Sequence, residues 1–153
     1  NIIINLQGDM PNLDSSAIKK LSDYMKKNLC DVATLASSIE AKEELINQNI
    51  VKVITSADIM KSGFSEALDF RRDLLNQEHK SIYHHIGIYA FTNKALMRYV
   101  NLKRSKLEIE RNLEQMRALE NNMKIHVGYT ASNPLSIDTN SDLEEIKKIM
   151  ENK

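Results

Sequence analysis

The strongest constraint on the fold of this chain is the alternation of short apolar runs with polar-faced segments that begin at helix-capping residues. The apolar runs predict strands over residues 2–6, 31–36, 50–55, 67–70, 84–91 and 125–129. Capping residues between them predict helices over residues 15–28, 38–45, 93–100, 105–120 and from 141 onward. Strands that alternate with helices predict an α/β domain with a mostly parallel, mixed sheet flanked by helices.

Two of the predicted helix starts match a capping-box pattern, which involves two side chains instead of one. Ser105 and Glu108 fit a capping box, in which serine and glutamate satisfy open backbone donors reciprocally, and residues 141–144 repeat the pattern. The first box predicts one helix through Glu120, with Leu107, Leu113, Met116 and Leu119 facing inward.

The first strand, residues 2–6, is apolar on both faces, which is typical of a central parallel strand. The chain enters this strand directly after Asn1, without an initiator methionine. We therefore expect residues 1–153 to form a single incomplete domain, truncated at the N-terminus.

Composition narrows the function classes. Lys and Arg total 21, as do Asp and Glu, so the formal net charge of zero argues against a protein that binds nucleic acid or an anionic membrane. Cys30 is the single cysteine, which excludes an intrachain disulfide. No apolar run approaches the roughly 20 residues that a membrane-spanning helix needs, and the sequence predicts a cytoplasmic protein.

Two aspartates follow predicted strands or precede a predicted helix, where ligands of α/β proteins bind. Asp9 follows the first strand and Asp138 precedes the last helix. A pair of carboxylates suits Mg²⁺, which binds hard oxygen ligands. The alternative is structural, because Asp9 also fits an Asx turn and Asp138 a helix cap.

Other polar residues leave similar alternatives open. Neighbouring residues on a strand point to opposite faces, so His85 and His84 cannot both face one cleft. Arg71 and Arg72 are opposed in the same way, and either could pair with an anionic substrate. Glu114 and Gln115 fall in the middle of the predicted 105–120 helix, where polar side chains usually meet water.

Several strings resemble the 3-deoxy-manno-octulosonate cytidylyltransferases in the order that this family shows. They are INLQGDMP (4–11), DVATLA (31–36), VKVI (51–54), HIGIYA (85–90), LEQMRALE (113–120), IHV (125–127), IDT (137–139) and DLE (142–144). The resemblance implies a nucleotide-diphospho-sugar transferase-like (Rossmann-like) fold. It also implies transfer of CMP from CTP to the octulosonate (Kdo), with release of pyrophosphate, in lipopolysaccharide biosynthesis.

The resemblance further assigns roles to residues. It makes Asp9 and Asp138 the catalytic Mg²⁺ ligands. It assigns contacts with the sugar acid to Gln7, Arg72, His85, Glu114 and Gln115, with Arg72 on the substrate carboxylate. CTP and the octulosonate are the implied substrates, and a homodimer is the implied assembly.

The chain also departs from the family pattern. Met10 replaces an acidic residue, and residues 69–76 lack the prolines of the family's corresponding segment. The family's basic CTP-binding loop has no counterpart here. Two alternatives therefore stay open: another sugar-acid nucleotidyltransferase, or a non-catalytic remnant that folds or dimerises without turnover.

Overall fold

The computed structural model describes residues 1–8, 10–74, 81–131, 134 and 140–151, without the side chains of residues 141, 142 and 145. Within these residues the helices and strands confirm the α/β class. In chain order they are β1 (Ile2–Asn5), α1 (Ser15–Lys27), β2 (Val32–Ser37), α2 (Lys42–Ile46), β3 (Lys52–Thr55), α3 (Ile59–Ser62), β4 (Phe64–Arg71), β5 (Ile82–Thr92), α4 (Asn93–Val100), α5 (Lys106–Arg111), α6 (Gln115–Glu120), β6 (Ile125–Tyr129) and α7 (Asn140–Glu151).

The sheet is mixed, as predicted, but the expectation that it is mostly parallel is wrong. Among the described residues only β2 and β6 pair in parallel, while the other pairs are antiparallel. A parallel crossover between neighbouring strands needs a dozen or more residues, whereas β3 and β4 are separated by residues 56–63 alone, so the chain reverses direction between them. β5 is also antiparallel to β3 and therefore runs in the same direction as β4, with β3 between the two.

The first strand is also placed differently from the prediction. Strand order is β1-β5-β2-β6-β4-β3, so β1 lies at one end and runs antiparallel to β5. It is not a central parallel strand among the described residues, and its burial alternates, with Ile3 37% exposed.

Strand β5 is 11 residues long, so it can pair with different strands along its length. Its first half pairs with β3 and its second half with β1, while β2 lies along its other side. The pairing of β5 with β3 closes β5, β2, β6, β4 and β3 into a ring.

A bulge interrupts the pairing of β2 with β5. Thr34 pairs with Tyr89, but the next residue, Leu35, pairs with Ile86. Gly87 and Ile88 are therefore extra residues on β5, and they bring the backbone at this point toward Thr34.

Two apolar clusters cover the two faces of the sheet. On one face, α1 packs Leu21 and its neighbours against Ala33 and Leu35 of β2. On the other face, Met116 of α6 and its neighbours pack against Val32 of β2 and the strands beside it. No helix within the described ranges is long and apolar enough to cross a membrane.

The helix starts show where local sequence rules hold. Asp14 caps α1 by accepting a hydrogen bond from the Ser16 amide at 2.8 Å, and the Ser105–Glu108 capping box forms at α5. Three starts differ from the predictions: Lys42 rather than residue 38 begins the second helix, Thr92 rather than Asn93 caps α4, and α7 begins at Asn140.

The predicted helix over residues 105–120 is broken into α5 and α6. Asn112 adopts the left-handed conformation, with φ 51° and ψ 49°, and ends α5. Asparagine tolerates this conformation better than other residues that carry a Cβ. Glu114 then becomes the N-cap of α6 and Gln115 its first residue, rather than positions in mid-helix.

Candidate functional site

A cavity of about 350 Å³ lies between β1, α4 and the start of α6. Its walls include Ile3 and Asn5 of β1, Tyr89 and Phe91 of β5, Tyr99 and Val100 of α4, and Glu114, Gln115 and Ala118. A wider depression of about 630 Å³ beside Asn1 and Lys94 holds none of the predicted site residues. The smaller cavity is therefore the candidate site.

The break between α5 and α6 delivers two predicted residues to this cavity. Gln115 is only 6% exposed, and among the described residues its side-chain amide has no hydrogen-bond partner. Glu114 is exposed, and its backbone carbonyl accepts a hydrogen bond from the Tyr99 hydroxyl at 3.1 Å. Because Gln115 lines the cavity, its amide is available to hydrogen-bond a ligand that enters there.

Tyr89 adds a second polar group to the cavity wall. It is 7% exposed, and within the described ranges its hydroxyl has no hydrogen-bond partner. Burial, and secondly the charge of Glu114, raises the pKa of Tyr89, so the phenol stays protonated. Tyr89 and Gln115 offer neutral donors and acceptors beside a carboxylate, which suits a ligand rich in hydroxyl groups.

A buried ion pair holds α6 in place. The Glu108 carboxylate accepts hydrogen bonds from Arg117 at 2.8 Å (Nε) and 2.5 Å (Nη2), and only 3% of the Glu108 side chain is exposed. The hydrogen bonds from Arg117 lower the pKa of Glu108 to about 2. The Arg117 guanidinium also lies 4.9 Å from the ring centre of Tyr99. α5, α6 and α4 are thus joined beside the cavity.

His85 lies on the same face of β5 as Tyr89, with their ring centres 5.5 Å apart. Its Nε2 is 2.9 Å from the Thr34 hydroxyl, and its ring meets Phe70 edge-on at 5.1 Å. Burial, and secondly the charge of His84, lowers the pKa of His85 to about 3. His85 is therefore neutral near pH 7.

His84 points away from this pair, as the strand alternation predicts. Its Nδ1 lies 3.5 Å from a carboxylate oxygen of Glu44 in α2. His85 is thus the histidine that lies toward the candidate site.

Gln7 lies over the bulge of β5. A Cβ placed on Gly87 would be 3.7 Å from the Gln7 Oε1 and 3.8 Å from the Met10 Cε. Met10, the residue that departs from the family pattern, is buried in the apolar cluster beneath α1. The structure brings Gln7 next to the strand that carries His85.

Arg72 is not among the residues that line the cavity. Its Nη1 donates to the carbonyl of Gln48 at 3.0 Å, and its own carbonyl accepts a hydrogen bond from Lys52. Lys52 is fully buried and also donates to the carbonyls of Asn47 (2.6 Å) and Ile50 (2.9 Å). In this structure Arg72 is held at the turn before β3.

Asp9 and Asp138, the predicted Mg²⁺ ligands, lie outside the described residues. In the part of the chain that the structure describes, no three His, Cys, Asp or Glu side chains come close enough to hold a metal ion. The metal assignment stays a prediction.

A family model described as cytidylyltransferase matches residues 1–125. The chain belongs to this family. The 3-deoxy-manno-octulosonate cytidylyltransferase of Bartonella bacilliformis is 42% identical over 150 residues, which are 98% of this chain and 61% of that protein. The Rhizobium meliloti protein of the same name is 40% identical over 149 residues, 97% of this chain and 59% of that protein.

Solved structures agree with these relatives. One of CMP:2-keto-3-deoxy-manno-octonic acid synthetase complexed with CTP superposes with a TM-score of 0.87 at 30% identity, covering 99% of this chain and 62% of the other. The inositol-1-phosphate CTP transferase of T. maritima, at 16% identity and a TM-score of 0.50, covers 89% of this chain and 49% of the other and supports the fold alone.

The cytidylyltransferase chain spans about three fifths of the length of the curated relatives that it matches. The comparisons confirm the resemblance that the ordered strings predict. They do not test the roles of individual residues, so the sugar-acid contacts stay predictions.

Three residues of the site were missed by sequence reasoning. Tyr89 and Tyr99 line the cavity, and Thr34 contacts His85. Tyr89 and Thr34 stand within matched strings, yet strand alternation marks both only as inward-facing residues. Tyr99 carries no local signal beyond the apolar face of α4.

Proposed function

We propose that this chain forms the sugar-binding and metal-binding part of a 3-deoxy-manno-octulosonate cytidylyltransferase. The observation that carries the proposal is the cavity at the start of α6. Gln115 and Tyr89 line it without hydrogen-bond partners among the described residues, and they belong to strings that match this family. Such a wall suits a sugar acid with many hydroxyl groups.

The reaction follows from the family. The anomeric hydroxyl of the octulosonate attacks the α-phosphorus of CTP, the new P–O bond forms, and pyrophosphate leaves. Catalysis of this kind depends on positioning and on neutralising phosphate charge. Gln115 and Tyr89 would orient the sugar through hydrogen bonds, and the Glu114 carboxylate would accept hydrogen bonds from its hydroxyls.

Arg72 has a different task in this proposal. Its guanidinium is partly exposed and, within the part of the chain that the structure describes, carries one hydrogen bond, to the Gln48 carbonyl. The remaining donors are suited to a carboxylate. We propose that Arg72 binds the substrate carboxylate from the edge of the site.

Mg²⁺ is the proposed cofactor. Asp9 and Asp138 would supply hard carboxylate oxygens, which are the donors that Mg²⁺ prefers. Mg²⁺ usually binds to one or two carboxylates and completes its octahedron with water and substrate phosphate oxygens, which fits this pair. When bound, Mg²⁺ would neutralise charge on the phosphates of CTP.

The test uses a chimera with the full length of a curated relative. The region of the Bartonella bacilliformis relative that matches this chain would be replaced by residues 1–153, and pyrophosphate release from CTP would be measured. We expect release that requires both the octulosonate and Mg²⁺. Release without the sugar acid, or no release under any condition, would contradict the proposal.

Two sets of controls sharpen the assay. Asp9→Asn or Asp138→Asn should abolish turnover, because each removes an anionic ligand of Mg²⁺. Unchanged activity in either variant would withdraw the metal assignment. N-acetylneuraminate should not replace the octulosonate, and preference for it would favour the alternative sugar-acid specificity.

A non-catalytic remnant is the second candidate. It is favoured by Met10, which is buried among apolar side chains where the family has an acidic residue, and by residues 69–76, which lack the family's prolines. This candidate predicts no CTP binding to the chain alone in calorimetry, even with octulosonate and Mg²⁺. Micromolar CTP binding would contradict it.

We also propose a homodimer. Met97 and Val100 on α4 are 55% and 56% exposed, and Val100 lines the cavity together with Ile3 of β1, which is 37% exposed. Residues 84–120 would contribute to the contact. Sedimentation should give twice the chain mass, whereas a monomer at micromolar concentration would refute the dimer for this chain.

A further inference from the structure

Thr34 and His85 meet at the bulge of β5. Thr34 is fully buried, and its Oγ1 lies 2.9 Å from the His85 Nε2. The same oxygen lies 2.7 Å from the carbonyl oxygen of Ile88 and 3.1 Å from that of Ile86. The two extra residues of the bulge direct both carbonyls at one side chain.

The direction of these hydrogen bonds is decided by counting hydrogens. A threonine hydroxyl has one hydrogen to donate and two lone pairs, whereas a carbonyl oxygen can only accept. If the hydroxyl donated to His85, its lone pairs would face two carbonyl oxygens at 2.7 Å and 3.1 Å with no hydrogen between them. The hydroxyl therefore donates to a carbonyl and accepts from His85, so Nε2 carries the hydrogen.

We propose that Thr34 is a positioning residue that holds His85 as its Nε2–H tautomer, so that Nδ1 offers a lone pair to a hydroxyl group of the sugar acid. The ligand half of this inference rests on the proposed function. In this proposal His85 accepts a hydrogen bond from a hydroxyl group of the ligand. A carboxylate has no hydrogen to donate, so the substrate carboxylate binds in another part of the site.

Three observations support this role. Within the described residues the Nδ1 of His85 has no hydrogen-bond partner, although the residue is only 8% exposed. The ring lies beside Tyr89, which lines the cavity. Burial holds the pKa of His85 far below 7, to about 3, so the ring keeps one donor and one acceptor nitrogen at neutral pH.

The tautomer can be read directly by NMR on the chain labelled with ¹⁵N-histidine. His85→Gln identifies the His85 signals by their loss. In the unsubstituted chain we expect a protonated Nε2 and an unprotonated Nδ1. Thr34→Val keeps the side-chain shape, but valine cannot accept a hydrogen bond from Nε2. The His85 signals should therefore move toward the tautomer with a protonated Nδ1. Thr34→Ser keeps the hydroxyl and should preserve the original signals.

Two results would overturn the tautomer assignment: a protonated Nδ1 in the unsubstituted chain, or the same His85 signals with valine as with threonine. Thermal unfolding of both variants checks that they fold. If valine prevents folding, the comparison of serine with threonine and the signals of the unsubstituted chain still decide the assignment.

The ligand half is tested by calorimetry on the chimera with octulosonate and CTP, without Mg²⁺ so that no turnover occurs. Thr34→Val should raise the Kd for the octulosonate about three- to tenfold relative to Thr34→Ser, as expected for weakening one hydrogen bond. Equal binding by two variants with different tautomers would refute the acceptor role. If the chimera binds no octulosonate, the acceptor role falls together with the proposed function, while NMR still decides the tautomer.

Discussion

Glu108→Gln tests how far one buried carboxylate stabilises the part of the chain that forms the cavity. The Glu108 carboxylate joins α5 to Arg117 of α6 through two hydrogen bonds and accepts a third from the Ser105 amide at 3.1 Å. Glutamine has nearly the same shape, but it cannot supply the charge or accept both bonds from the guanidinium. The substitution therefore leaves Arg117, 19% exposed, without its carboxylate.

The magnitude follows from the pKa of Glu108, which the hydrogen bonds from Arg117 lower from 4.5 to about 2. That difference corresponds to ~3 kcal/mol of folding free energy. Arg104, which also contacts Glu108, is 59% exposed, so solvent screens part of the interaction. We therefore expect a loss of about 2 kcal/mol at pH 7.

The pH dependence has a definite sign. A carboxyl group whose pKa is lower in the folded state stabilises the fold above its unfolded pKa, and the stabilisation disappears as the pH falls through the folded pKa. The difference between the original chain and Glu108→Gln should thus be constant above pH 5.5 or so and shrink between about 4.5 and about 2.

Urea unfolding followed by circular dichroism, repeated from pH 7 downward, measures this difference. In thermal unfolding at neutral pH, the melting temperature of Glu108→Gln should be lower than that of the original chain by about 4–8 °C. Glu110→Gln, an exposed position on the same helix, serves as the control and should change stability by less than about 0.5 kcal/mol. Equal stability of Glu108→Gln and the original chain at pH 7, or a difference that persists at the lowest pH, would refute the reasoning.

Three further substitutions test packing and the site. Gly128→Ala should lower the free energy of unfolding in urea by about 1–3 kcal/mol, because the new Cβ would lie 2.4 Å from the Phe64 ring. Gly8→Ala is the control and should leave it unchanged, because its Cβ would meet none of the described residues within 4 Å. Lys52→Met should cost about 2–4 kcal/mol in the same assay, because three carbonyls lose a buried donor; an unchanged midpoint would contradict this. Gln115→Leu in the chimera should raise the KM for octulosonate about tenfold without lowering the melting temperature, whereas an unchanged KM would remove Gln115 from the site.

The elements of this fold could be predicted where the signal is local. The start of α1 at Ser15 and the Ser105–Glu108 capping box depend on contacts within three residues, and both are found where the sequence predicts them. The cap of α1 is Asp14. The strand runs are also local, since burial on the sheet follows from apolar side chains at neighbouring positions.

Strand direction could not be predicted in the same way. The alternation of β5 indicates an extended segment but carries no information about which strands lie beside it. Only the short connection between β3 and β4, residues 56–63, favours antiparallel pairing, and its residues have no clear periodicity. The break at Asn112 was missed because a left-handed residue inside a helical pattern is chosen by packing on both sides of it.

The matched strings explain why the family could be identified from sequence although the site geometry could not. Thr34 comes from one string, His85 and Gly87 from a second and Gln7 from a third. In the structure the Thr34 hydroxyl bonds the bulge of β5, His85 bonds the hydroxyl, and Gln7 lies over Gly87. Each string alone fits an ordinary strand. Their common feature is one bulged strand, and a Cβ at Gly87 would make only ordinary contact with Gln7, 3.7 Å from its Oε1. The bulge is therefore the feature through which separate segments of sequence specify one site.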